Sequence, residues 1–194
     1  RGLGDVYKRQ GGEYRLVLAD GTKVWINAES SLQYPVEFTA EQRTVILQGE
    51  AYFEVAKNPD KRFVVTCNGV EIEALGTEFN VKAYPADSVI TTTLAKGKVK
   101  VFNNEQSVTL LPNGVATYHM KQQTIQSSTV DDISVANYWR TGQLVFEAEP
   151  LSSIARTMER MYNVKICIDD TKLKNMKFTG TIQNNSLNNV LYIM

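Results

Sequence analysis

From Glu13 to about Met120, apolar and polar positions alternate with a period of two. Phe63, Val65 and Cys67 alternate with Val64 and Thr66, and Val70, Ile72 and Ala74 with Glu71 and Glu73. Phe79, Val81 and Ala83 alternate with Asn80, Lys82 and Tyr84, and Val99 and Val101 with Lys98 and Lys100. Such alternation sets one face of each strand on a core and the other in water, as antiparallel sheets do. Asp20-Gly21, Asn58-Pro59-Asp60, Asn68-Gly69, Asn103-Asn104 and Pro112-Asn113-Gly114 punctuate the runs, and Asp-Gly and Asn-Gly suit the positive φ of tight hairpin turns. The pattern predicts about ten short strands and no helix, an all-β domain that is a sandwich or a solenoid-like stack. Period alone does not choose between the two.

The period then changes. Gln126–Asn137 is polar and weakly periodic and reads as a linker. Gln143–Glu147 predicts a short strand, and Leu151, Ile154, Ala155, Met158, Met161 and Tyr162 form one face of a helix of about three turns. Pro150 suits the first helical position, and Asn163 suits a left-handed close. Val164–Ile168 and Lys177–Ile182 predict two more strands, with Asp169-Asp170 and a lysine-rich loop between them. A last helix is expected from Ser186, its N-cap, through Leu187, Val190, Leu191 and Met194, with no stop signal. The order β-α-β, β-α is one strand short of a repeated unit.

The fold class is therefore α+β. Residues 11–125 form the all-β domain, 126–137 the linker, and 138–194 a small βαβ-type domain expected to be incomplete at its C-terminal end. Arg1–Gln10 shows neither period, reads as a non-native or artefactual leader, and is set aside from the fold.

Charge and composition narrow the function. The 194 residues carry 21 Lys and Arg against 21 Asp and Glu, a net charge of zero. That removes the cationic footprint needed for a nucleic-acid backbone or an anionic membrane surface. A hydrophobic fraction of 43% supports packed cores, while no apolar run approaches a membrane span. Cys67 and Cys167 lie far apart without CxxC spacing, and each sits in a strand-like apolar string, so both are expected to be buried spectators.

Candidate chemistry is sparse. His119 is the single histidine and offers neither a metal cluster nor an oriented base. No GxSxG elbow is present, and Gly69, Gly76 and Lys82 fail the spacing of a phosphate loop. Glu71 with Glu73, and Glu50 with Glu54, are carboxylate pairs of the kind a glycosidase sets across a cleft, but alternating glutamates usually form a solvated strand face. Asp169-Asp170 fits a turn, and Lys172, Lys174 and Lys177 a solvated basic cluster. No catalytic residue, cofactor or metal site is assigned.

Longer strings are more specific. Leu18-Ala-Asp-Gly-Thr-Lys-Val-Trp-Ile-Asn-Ala-Glu-Ser-Ser-Leu32 with Tyr34-Pro35 resembles the opening signature of FecR-type anti-sigma factors. The resemblance continues through Arg43-Thr-Val-Ile-Leu-Gln-Gly-Glu-Ala-Tyr-Phe-Glu-Val-Ala56, Phe63-Val-Val-Thr66, Val70–Leu75, Gly76-Thr-Glu-Phe-Asn-Val81 and Leu94-Ala-Lys-Gly-Lys-Val99. Leu111-Pro112-Asn-Gly114 is similar to the family's late turn. Trp139-Arg-Thr-Gly-Gln-Leu-Val-Phe146 with Glu149-Pro-Leu-Ser-Ser-Ile-Ala155 resembles the start of the following module, a domain similar to the secretin/TonB short N-terminal fold.

The resemblance implies a periplasmic domain of an inner-membrane protein. Its partner would be the signalling domain of an outer-membrane TonB-dependent receptor, whose ligand occupancy it would relay to an extracytoplasmic-function sigma factor. The sigma-binding cytoplasmic segment and the membrane helix of that family are not among these residues. The expected chemistry is protein contact, neither catalysis nor nucleic-acid binding. Phe178, Thr179, Gly180, Thr181 and Ile182 are the candidate docking edge, since Gly180 permits close backbone approach, with internal packing as its other possible role. The rival reading is a periplasmic carbohydrate-binding or glycan-processing β-domain, motivated by the aromatic residues and the glutamate pairs. A purely structural β-solenoid is a third.

Overall fold

A computed structural model of the chain describes residues 2–8, 14–136 and 138–183. They divide into two compact units, the first running to Ile133 and the second starting at Ser134. The first contains β1 (Leu3–Lys8), β2 (Tyr14–Val17), β3 (Lys23–Ile26), β4 (Ser30–Pro35), β5 (Arg43–Glu54), β6 (Phe63–Cys67) and β7 (Val70–Ala74). It continues through β8 (Glu78–Ala83), β9 (Val89–Lys96), β10 (Val99–Phe102), β11 (Ser107–Leu110), β12 (Gly114–His119) and β13 (Thr124–Thr129). The second contains β14 (Gln143–Pro150), α1 (Leu151–Tyr162) and β15 (Lys177–Gln183).

The long strand β5 organises the first unit because it belongs to two sheets. Its first half pairs with β4 and β6, and its second half with β3 and β8. One sheet runs β1-β4-β5-β6-β7-β10-β11 and the other β2-β3-β5-β8-β9-β12-β13. The change of sheet falls at Gly49, whose φ is +98° and where a Cβ would stand 2.7 Å from the Ser30 Cα. Only glycine meets both conditions, since an L side chain is strained at that φ and has no room there.

Between the sheets lies one apolar core fed by both: Val45, Phe63, Val65 and Ile72 from the first, Val24, Phe53, Phe79 and Val81 from the second. Phe53 stacks on Phe79 at 5.2 Å and meets Phe63 at 6.0 Å. Two faces of sheet, joined through β5, thus pack on a single core. The outer strands β11 and β13 are tied together as well, for the Ile125 N–H donates to Gln106 Oε1 at 2.8 Å.

The turns follow their chemistry. Asn68 and Gly69 adopt φ values of 35° and 91°, the two positive angles of a type I′ turn, and bring Cys67 into register with Val70.

Several expectations need correction. The leading decamer does not stay outside the fold, because its Leu3–Lys8 stretch forms β1 and pairs with β4. An edge strand is held by main-chain hydrogen bonds and needs no clean alternation, and Tyr7 is left exposed. The polar stretch assigned to the linker likewise begins too early. Gln126–Thr129 is the outer part of β13, whose exposed side chains hide the period of a strand. Val164–Ile168 keeps its alternation but joins no sheet among the described residues. The helix expected from Ser186 lies outside the described residues.

Candidate partner-binding surface

The second unit is built around a hairpin whose strands lie far apart in sequence. Leu144 and Phe146 of β14 and Ile154 and Met158 of α1 form its buried centre, with Met161, Tyr162, Ile166 and Phe178 packed against it. Burial pushes the Tyr162 phenol up from its ordinary pKa. The helix starts one residue later than predicted. Pro150 keeps extended backbone, with ψ of 141°, because it is still paired with Lys177 as the last residue of β14. The Leu151 N–H, which has no intrahelical acceptor, donates to the Met176 carbonyl at 2.9 Å. Asn163 closes α1 in the left-handed region, as its type predicts.

The pairing of β14 with β15 is interrupted. Phe146 lies opposite Gly180 and Glu149 opposite Phe178, leaving a bulge at Glu147 and Ala148. Ala148 takes a φ of 46°, and its N–H donates to the Thr179 hydroxyl at 2.9 Å. Thr179 is therefore a clasp for the hairpin, a role that the Thr-Gly-Thr string did not reveal.

The five residues singled out as an edge have distinct positions. Phe178 is half-buried on the unit's core, and Thr179 closes the bulge. Gly180 and Thr181 are exposed, Thr181 opposite Val145. Ile182 pairs with Leu144. No described atom comes within 4 Å of where a Cβ at Gly180 would stand, so contacts with the described residues do not require a glycine there. The edge of β15 away from β14 has no strand beside it among the described residues. Val164, Ile166 and Ile168 are half-buried and alternate with exposed Lys165 and Cys167. The Ile166 N–H donates to Glu159 Oε1 at 2.8 Å rather than to a neighbouring strand.

The other candidates are dispersed. His119 ends β12, opposite Thr124 and Val89. Glu50 is almost fully buried, and its two carboxylate oxygens accept from the side-chain amides of Asn27 and Asn80, each at 2.9 Å. Glu54 pairs with Lys23 at 3.2 Å, and Glu73 with Arg62 at 3.1 Å. Asp170 receives the Lys172 N–H at 2.8 Å and so makes a turn. Cys67 is buried, which pushes its thiol up to about 12. Cys167 is exposed, against expectation, since its strand-like string has its other face on the core. Among the described residues, no three His, Cys, Asp or Glu side chains gather as metal ligands, and no helix is long and apolar enough to cross a membrane.

The signature strings converge on interior structure. Arg43, 1% exposed, donates from Nη1 to Asp20 Oδ2 at 2.6 Å and to the Ala56 carbonyl at 2.9 Å, and from Nε to the Lys61 carbonyl at 3.0 Å. Its guanidinium lies 5.5 Å over the Phe63 ring. Asp20 also accepts from the N–H and hydroxyl of Thr22, and the Thr22 hydroxyl accepts from the Ala56 N–H. Three stretches distant in sequence are thus joined through one buried ion pair.

Comparison with known proteins agrees with this arrangement. The FecR protein family profile matches residues 5–100, and the profile for the C-terminal part of FecR matches residues 143–194. A crystal structure at 1.65 Å of a protein from Parabacteroides distasonis ATCC 8503, titled a "putative anti-sigma factor", is 33% identical, with a TM-score of 0.92 over 98% of this chain and 89% of that one. A second crystal structure under the same description, at 2.50 Å, is 32% identical, with a TM-score of 0.88 and the same coverage. None of the curated proteins compared matches the chain. With two family profiles matched in order along the chain and a solved relative similar over nearly all of it, the chain belongs to the FecR family of anti-sigma factors.

Proposed function

We propose that this chain is the periplasmic signal-receiving part of a membrane-anchored anti-sigma factor. It relays ligand occupancy of an outer-membrane TonB-dependent receptor to an extracytoplasmic-function sigma factor, through protein contact and without catalysis. The observation that carries this reading is the open edge of β15 in the second unit, with exposed Gly180 and Thr181 on it. An extended segment of the receptor's signalling domain adds there as a further strand, with main-chain hydrogen bonds for affinity and side-chain contacts for selectivity. Phe178, packed on the core, and Thr179, bonded to the Ala148 N–H, hold that strand in place, and Ile182 is in register with Leu144. The sigma factor is held by a cytoplasmic segment of the full protein, on the far side of its membrane helix.

The rival glycan reading lacks support where it would need it. Three of its four glutamates are engaged, Glu50 by two amides and Glu54 and Glu73 by cations. The Trp25 ring carries Arg15 on its face at 5.1 Å and meets Tyr52 edge-on.

Titration calorimetry with the receptor's signalling domain tests the proposal. Thr181→Pro is expected to weaken binding about tenfold or more by removing a main-chain donor and stiffening the edge. Thr179→Ser keeps the hydroxyl clasp and is expected to bind normally. Equal affinity of the wild-type and Thr181→Pro proteins, with the hairpin still folded by circular dichroism, overturns the assignment of this edge.

A further inference from the structure

The first unit carries a cleft to which the FecR assignment gives no role. It lies on the outer face of the sheet at β7, β10 and β11, where Glu73, Leu75, Lys98 and Lys100 alternate with buried Ile72, Ala74, Val99 and Val101. Lys100 stands in register with Glu73 on one side and Thr109 on the other. Lys57 closes it from the loop after β5, and its volume is about 490 Å³, within the usual range for ligand sites.

Its electrostatics are one-sided, although the chain as a whole is neutral. Of the charged residues lining the cleft, three are lysines, and the single acid, Glu73, is already paired with Arg62. Among the described residues no carboxylate lies within ion-pair distance of Lys57, Lys98 or Lys100. The Lys100 ammonium rests 5.2 Å over the Phe102 ring, a contact that positions the charge without neutralising it. Beside the lysines the wall is apolar, with Leu75 43% exposed. Thr77, also in the lining, holds the only hydroxyl among the described residues that is buried without a partner.

We propose that this cleft docks an acidic peptide segment of a partner protein, which sets carboxylates against Lys57, Lys98 and Lys100 and an aliphatic side chain against Leu75. Charge complementarity fixes the class of occupant. Lys98 and Lys100 stand two residues apart on one strand run and Lys57 on the loop after β5, so a small anion held by the lysines leaves the apolar wall at Leu75 bare. An extended segment that alternates Glu and Leu presents both chemistries at strand spacing. The proposal is independent of the β15 edge, since every lining residue belongs to the first unit.

The test is fluorescence anisotropy of the whole chain with a labelled hexapeptide of alternating Glu and Leu. Its Lys-Leu counterpart and free glutarate serve as competitors. The acidic peptide is expected to bind and to weaken steeply as salt rises, and neither competitor is expected to displace it. The double variant Lys98→Glu and Lys100→Glu, both on the surface, is expected to bind at least about tenfold more weakly, Leu75→Asp likewise, and Lys121→Glu normally. No binding, binding unchanged in the double variant, or displacement by equimolar glutarate overturns the proposal, the last by making the cleft a small-anion site. Thr181→Pro leaves this binding intact, so a failure here is distinct from a failure of the receptor-edge assignment.

Discussion

The two units solve the same problem with different amounts of material. In the first, two sheets that share β5 enclose one core, and Asp20, Arg43, Glu50 and Asn80 form buried polar networks that tie distant strands together. In the second, one helix covers a two-stranded hairpin whose buried apolar centre is four side chains. The first pairs most of its strands on both sides and leaves β1, β2, β11 and β13 as edges, while in the second both strands have a single partner among the described residues. That difference separates the part of the family signature that builds internal networks from the small unit on which the receptor edge is proposed. It also explains why the long family strings gave no chemistry. They are the scaffold's internal wiring.

Removing one member of that wiring has the largest expected effect. Asp20→Ala leaves the Arg43 guanidinium buried without its carboxylate, which costs about 4 kcal/mol of stability in urea denaturation of the first unit. If the loss stays below about 1 kcal/mol, the networks are ornament and the contrast between the units dissolves.

The two cysteines compare the units directly. The folded Cys67 pKa is raised from 9.0 to about 12, so folding favours its neutral thiol. Its contribution is fully present below pH 9, where both states hold the proton. Above that, the unfolded chain ionises first, and stability falls up to about pH 12, by about 4 kcal/mol in all. Cys67→Ala is expected to flatten that alkaline slope. In the native protein a thiol reagent is expected to label Cys167 and to reach Cys67 only on unfolding.

Met158 is fully buried in the second unit, and Met158→Ala is expected to cost about 3 kcal/mol there. Amide exchange should accelerate in β14, α1 and β15 and remain slow in β5 to β9. Acceleration throughout would show that the units unfold as one. The smallest effect is expected from Glu50→Gln, which sets one amide donor against another at Asn27 or Asn80 and costs about 2 kcal/mol. A Tm shift confined to the transition of the first unit checks it.

The sheet domain was legible because alternation over ten strands repeats one physical demand, that every second side chain enter a core. Asn68-Gly69 was legible as a turn for an equally local reason. Where the demand is absent, the reading failed: β1 and the outer part of β13 are edge segments that carry mostly exposed or half-exposed side chains and satisfy their main chain by pairing. Val164–Ile168 failed in the opposite sense. Its alternation reports one face on the core, and nothing in that period says whether a strand lies alongside. The candidate edge was visible in Thr-Gly-Thr, but the clasp of Thr179 on Ala148 depended on a bulge in a strand about thirty residues away.

By itself, the sequence determined the change of period, the turns, the helix with its left-handed close and the family strings, all of which are read from neighbours along the chain. Only the tertiary structure decided that β5 serves two sheets, that Asp20 meets Arg43, that Cys167 faces outward and that three lysines share a cleft. Each of these depends on residues brought together by strand pairing across distances at which sequence spacing carries no geometry. Local patterns fix which face of a strand is apolar, and long-range packing fixes what that face and its opposite meet.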